Sequence, residues 1–158
     1  MIGGVHHVAV ATGDLDRLIR FYCGQLGFTL LKQGSWDVGS DVVDRIVGLK
    51  DSAARTAVLR AGNLYIEVFQ YLSPPGLSGD PDRPVSDHGY THFCLDVTDI
   101  DAEYERLRAA GMRFHGPPPP ASEMSRGAIR STYGRDPDGN VIELQEILDP
   151  DYPLPMSG

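Results

Sequence analysis

The chain has 158 residues, 41% of them hydrophobic, and a formal net charge of −8 at neutral pH. This length suits one domain, or two small halves sharing enough apolar mass for a core. The acidic balance, with Lys and Arg scattered, argues against nucleic acid or an anionic membrane surface as partner, and no apolar run approaches the roughly 20 residues needed to cross a bilayer.

Residues 5–11 alternate as a strand, with Val5, His7 and Ala9 on one face and His6, Val8 and Val10 on the other. Asp14 is placed to cap a helix whose Leu15, Leu18, Ile19, Tyr22 and Leu26 recur at helical spacing, with Gly27 as the stop. Residues 28–32 read as a strand. An irregular segment follows over 34–52, with a short helix through Val42, Val43, Ile46 and Val47. Residues 56–60 and 64–71 form a hairpin turning at Ala61-Gly62-Asn63. Prolines, glycines and aspartates make 72–88 a linker.

The order then repeats: a strand over 90–97, a helix over 99–110 with Ile100, Tyr104 and Leu107 on its apolar face, and a strand over 112–115. Pro117 to Pro120 force a loop. A second hairpin, 129–134 with 141–146, is closed by Asp136-Pro137-Asp138-Gly139-Asn140. The tail over 149–158 is polar and expected to be loosely held. The expected organisation is therefore a first βαβββ module over 1–71, the linker, and a second module over 89–148.

The two halves match in detail as well as in order. His7-Val8-Ala9-Val10 leads to Asp14-Leu15-Asp16, and His92-Phe93-Cys94-Leu95 leads to Asp99-Ile100-Asp101. The copies close on Gly62-Asn63-Leu64-Tyr65-Ile66-Glu67 and Gly139-Asn140-Val141-Ile142-Glu143. Each histidine thus falls on the first strand of its module and each glutamate on the last. Both glutamates interrupt apolar strand cores, where a carboxylate is costly unless paired or bound to a cation. His7, Glu67, His92 and Glu143 make a candidate site for one divalent metal, with Zn, Ni, Co, Mn and Fe(II) all compatible with two imidazoles and two carboxylates.

These motifs, with Arg20-Phe21-Tyr22, Leu26-Gly27-Phe28 and the run from Arg135 to Leu144, resemble the glyoxalase and vicinal oxygen chelate superfamily over residues 3–147. The resemblance implies an α+β fold of two tandem βαβββ modules forming a cup-shaped mixed sheet around one metal ion, usually in a homodimer. It matches the family's ligand positions to His7, Glu67, His92 and Glu143. It further implies bidentate chelation of neighbouring substrate oxygens and stabilisation of an enediolate, with a ligating glutamate as the base. Glu67 and Glu143 are then two candidate bases, the arrangement an epimerase needs.

Fold membership does not name a reaction. Four intact ligands count against ring-cleaving dioxygenases and against metal-free binding or resistance proteins. Glyoxalase I-like lyases and methylmalonyl-CoA epimerases stay as alternatives, the latter departing from this chain by a Gln in place of Glu67. The segment from Trp36 to Ser40, with Val47-Gly48-Leu49 and residues 53–70, more nearly resembles members of cyclitol biosynthesis. The expected function is a metal-dependent epimerase or isomerase moving a proton α to a carbonyl of a small polyhydroxylated ketone. Tyr65, His88, Arg130 and Tyr133 are the candidate substrate-binding residues, with packing within the cup the favoured reading of the two tyrosines. Cys23 and Cys94 show no disulfide framework, and residues 1–5 do not resemble a secretory signal. A reduced, cytoplasmic setting is expected.

Overall fold

A computed structural model describes residues 1–154. Its contacts divide the chain into two compact units, residues 1–78 and 79–158. The first unit runs β1 (His7–Ala11), α1 (Leu15–Gly24), β2 (Thr29–Trp36), α2 (Asp41–Val47), β3 (Ala53–Ala61) and β4 (Leu64–Ser73). The second runs β5 (His92–Asp96), α3 (Ile100–Ala109), β6 (Arg113–Phe114), β7 (Ile129–Arg135) and β8 (Val141–Ile147), with two short 3-10 turns ahead of β7. Each unit holds one four-stranded mixed sheet, ordered β1-β4-β3-β2 and β5-β8-β7-β6. In both, the first strand pairs in parallel with the last, and the remaining pairings are antiparallel.

Local chemistry explains the element ends. Asp14 caps α1 by accepting from the Arg17 amide, and Asp99 caps α3 by accepting from the Ala102 amide. Gly62, at φ +62, allows the tight β3–β4 connection. Beyond the capping aspartates, each helix is tied to its own sheet in the same way. Arg55 on β3 grips Asp16 of α1, while Gln70 on β4 accepts from the Leu15 amide. Arg130 on β7 grips Asp101 of α3, while Glu146 on β8 accepts from the amides of Asp99 and Ile100.

One face of each sheet is covered by its helix. Leu15, Leu18 and Tyr22 are fully buried along with Ala57, Leu59, Ile66 and Val68. Ile100, Leu107 and Met112 are buried along with Phe93, Ile142 and Leu144. Burying each of the larger of these side chains is worth about 1.5–3 kcal/mol, so these faces fix strand register and send the alternate residues to the other side.

Two expectations need revision, and a third lies partly outside the described residues. β2 extends to Trp36, because residues expected to be irregular continue the ladder to β3 as far as the Trp36–Ala54 pair. The indole is then fixed by donating to Ser52 Oγ at 3.0 Å and by edge contacts to Phe69 and Tyr71. β6 shrinks to two residues, since only Arg113 and Phe114 pair with β7. The tail expected over 149–158 lies partly outside the described residues.

Candidate metal and substrate site

The open face of each sheet carries the residues singled out by the repeat. In the first unit, β1 and β4 pair with His7 opposite Tyr65 and Ala9 opposite Glu67, and Val58 of β3 flanks Glu67 on its other side. His7 Nε2 lies 3.5 Å from Glu67 Oε2. In the second unit, His92 stands opposite Val141, and Cys94 opposite Glu143, with Tyr133 of β7 on the far side of Glu143. His92 Nε2 lies 3.1 Å from Glu143 Oε2. The structure therefore brings together the expected ligands in pairs, one pair per unit. No third His, Cys, Asp or Glu of the described residues joins either pair in a metal-holding group.

The pairs are alike in position and different in surroundings. The Glu143 side chain is 14% exposed and that of Glu67 29% exposed. Where the first unit has Ala9 and Val58 beside its glutamate, the second has Cys94 and Tyr133. The Tyr133 ring sits 4.8 Å from the His92 ring, and burial, then the Glu143 charge, pushes its phenol above the ordinary value. Cys94 is exposed. Burial of the thiol and the facing Glu143 carboxylate push it up to about 12. Sequence reading passed over Cys94, although its position two residues after His92 puts it on the same strand face.

The Nδ1 atoms of both histidines are engaged too. His6 Nδ1 is 3.0 Å from His7 Nδ1, and Thr91 Oγ1 is 2.9 Å from His92 Nδ1. Strand alternation predicted His6 on the face opposite His7. His6 stands at the edge of the ladder, just before β1, where its carbonyl accepts from the Tyr65 amide, and its side chain lies against its neighbour and Tyr65, 5.0 Å between rings.

The remaining candidates are placed as follows. Tyr65 shares the open face with Glu67 and is half-buried beneath His6. His88 is exposed in the segment before β5, where its carbonyl accepts from Arg83. Arg130 lies on the helix-covered side of β7, opposite in sense to Tyr133, and its guanidinium is committed to Asp101 and the carbonyls of Pro118 and Pro119. The repeat held the signal for this, since Asp101 is the counterpart of Asp16 and Arg130 the counterpart of Arg55. Arg135 is buried and donates to His115 Nε2 and to the carbonyls of Gly139 and Arg83. Burial, then the Arg135 charge, holds His115 below its ordinary value.

Residues 4–144 match the Glyoxalase/Bleomycin resistance protein/Dioxygenase superfamily. The chain belongs to this superfamily. Among glyoxalase-superfamily relatives, it is 34% identical over 143 residues to the 2-epi-5-epi-valiolone epimerase of an Actinomyces species, covering 89% of this chain and 77% of that one. It is 28% identical over 138 residues to a probable lactoylglutathione lyase of a Synechocystis species, covering 87% and 91%. The crystal structure of a glyoxalase family protein from Bacillus cereus superposes with a TM-score of 0.82 at 24% identity, covering 94% and 97%, and shares the fold. Among the described residues no helix is long and apolar enough to cross a membrane.

Proposed function

We propose that this protein is a metal-dependent epimerase or isomerase, moving a proton on the carbon beside a carbonyl of a small polyhydroxylated ketone of the cyclitol type. The repeated His–Glu pair carries this reading: each open face presents one imidazole Nε2 against one carboxylate, at positions that correspond strand for strand. The similarity to the Actinomyces epimerase supports a cyclic ketone as substrate.

His7, Glu67, His92 and Glu143 would hold the ion. Two imidazoles and two carboxylates suit Zn, Ni, Co, Mn or Fe(II), and the Nε2–Oε2 separations of 3.5 and 3.1 Å let the donors of each pair reach a common point. Such an ion, when bound, stabilises the negative charge that builds on a carbonyl oxygen as the neighbouring proton leaves. The rest is the work of the chain's own groups. One glutamate takes the α proton at an Oε atom and the other returns a proton to the opposite face, which inverts one centre and leaves the composition unchanged. Tyr133 keeps its hydroxyl proton and is a hydrogen-bond donor for a substrate oxygen beside Glu143. The proposed enzyme works as a homodimer on a small molecule.

Incubation of the purified protein with 2-epi-5-epi-valiolone in deuterated water, with each divalent ion in turn, tests the reading. Deuterium at one stereocentre with no change in mass balance is expected. Oxygen consumption, or no exchange with any ion, overturns it. A lyase reading has support in the Synechocystis relative. Conversion of the methylglyoxal–glutathione adduct without exchange into the ketone would favour that alternative.

A further inference from the structure

We propose that Trp36, Phe69 and Tyr71 form an aromatic platform that stacks against the C–H face of a saturated, polyhydroxylated ring; this rests on the cyclic-ketone reading above and names its specificity-determining residues. Along β4, Glu67, Phe69 and Tyr71 alternate with the helix-covered Ile66 and Val68, so the rings continue the face that carries the carboxylate. Trp36 joins them from β2, where it pairs with Ala54, which is itself paired with Tyr71. The rings of Phe69 and Tyr71 are stacked, with centroids 5.7 Å apart and 14° between their planes. The indole meets both in T-shaped contacts, at 6.1 and 6.0 Å. All three side chains are half-buried.

Two observations point to a ligand rather than to the needs of the sheet. The first comes from the repeat. Two residues beyond Glu67 stands Phe69, flanked by Ala11 and Thr56, whereas two beyond Glu143 stands Gln145, flanked by Asp96 and Ser131. Tyr71 corresponds to Ile147, and β6 ends at Phe114, before any counterpart of Trp36. The same module therefore folds with polar groups around that position, and the aromatic cluster of the first is not required by the architecture. The second is how the indole is held. Its one polar atom, Nε1, donates to Oγ of the fully buried Ser52 at 3.0 Å, and Asp44 of α2 accepts from both the hydroxyl and the amide of Ser52. With that edge satisfied internally, the ring is ordered before any ligand arrives, which lowers the entropy cost of binding. A saturated ring bearing several hydroxyls has polar edges and an apolar face of C–H bonds. Aromatic faces are electron-rich and apolar, so they suit that face and exclude water from it.

Trp36 is the sole tryptophan of the chain, so its fluorescence reads the platform directly. Titration of the full chain with 2-epi-5-epi-valiolone is expected to change the emission saturably, while acyclic sorbitol leaves it unchanged. Calorimetric titration gives dissociation constants for the variants, with thermal midpoints as folding control. Phe69→Leu keeps apolar bulk and removes the ring, and is expected to raise the dissociation constant about 5- to 30-fold, with a larger change in KM than in kcat. Phe69→Tyr keeps the ring and should change it by less than about twofold. Native affinity in Phe69→Leu, tighter binding of planar catechol than of the ketone, or no emission change while deuterium exchange proceeds overturns the platform; the exchange experiment decides the epimerase reading separately. A saturable emission change without deuterium exchange keeps the platform and overturns the epimerase. A native chain that neither binds nor exchanges the ketone overturns both.

Discussion

Gly139 and Gly62 occupy matching turns, each just before an asparagine and the last strand of its module, and replacing each by alanine separates two costs. At Gly62 (φ +62) an added Cβ meets nothing within 4 Å. The cost is then the left-handed conformation alone, about 1–2 kcal/mol, less about 0.4–1 kcal/mol recovered by restricting the unfolded chain. At Gly139 (φ +90) the Cβ would lie 2.4 Å from Pro81 Cα, 2.5 Å from its carbonyl oxygen and 2.8 Å from its carbonyl carbon. Backbone does not swing aside as a side-chain tip does, and residues 81–83 are held by Arg113 on Asp82 and Pro81, and by Arg135 on the Arg83 carbonyl. Forced overpacking adds about 1–3 kcal/mol. Gly139→Ala is therefore expected to cost about 1–3 kcal/mol more than Gly62→Ala, measured by urea unfolding with the two variants run beside the native chain. Equal losses would refute the docking of residues 81–83 on the β7–β8 turn.

Glu143→Gln should lower turnover by a factor on the order of 10²–10⁴, the usual contribution of a positioned base, while the circular dichroism spectrum stays native; unchanged turnover removes Glu143 as a base. Tyr133→Phe should cost about 0.5–1.5 kcal/mol of transition-state binding, roughly a two- to tenfold fall in kcat/KM, with metal affinity retained, since it deletes one hydrogen bond to substrate. The Arg130 guanidinium holds the Asp101 carboxyl below its ordinary value. The stability this pair contributes is complete above the ordinary carboxylate range and is lost as pH falls through the lowered value. Acid titration of thermal stability should show this loss in the native chain and lack it in Asp101→Asn.

Much of the site was legible because its residues lie on strands with period two. His7 and Glu67 share a face with their alternate neighbours, as do His92 and Glu143, and the apolar residues between them, Ile66, Val68, Ile142 and Leu144, are buried beneath the helices as alternation requires. Arg130 shows where a one-dimensional reading stops. A cation near a candidate site suggests substrate binding, but one residue of strand alternation turns it to the helix side, where Asp101 at the first turn of α3 takes both its outer nitrogens. His6 departs from alternation at the strand end, just before β1, where only its carbonyl is held by β4.

The chain by itself determined the duplication, the helix cap at Asp14, the turn glycines, and the strand positions of two histidines and two glutamates. All of these follow from short-range spacing and backbone preference. Tertiary structure decided what stands beside each glutamate: Ala9 and Val58 in one unit, Cys94 and Tyr133 in the other. Those neighbours come from strands distant in sequence, and their register is chosen by apolar burial across the whole sheet, which no local periodicity encodes.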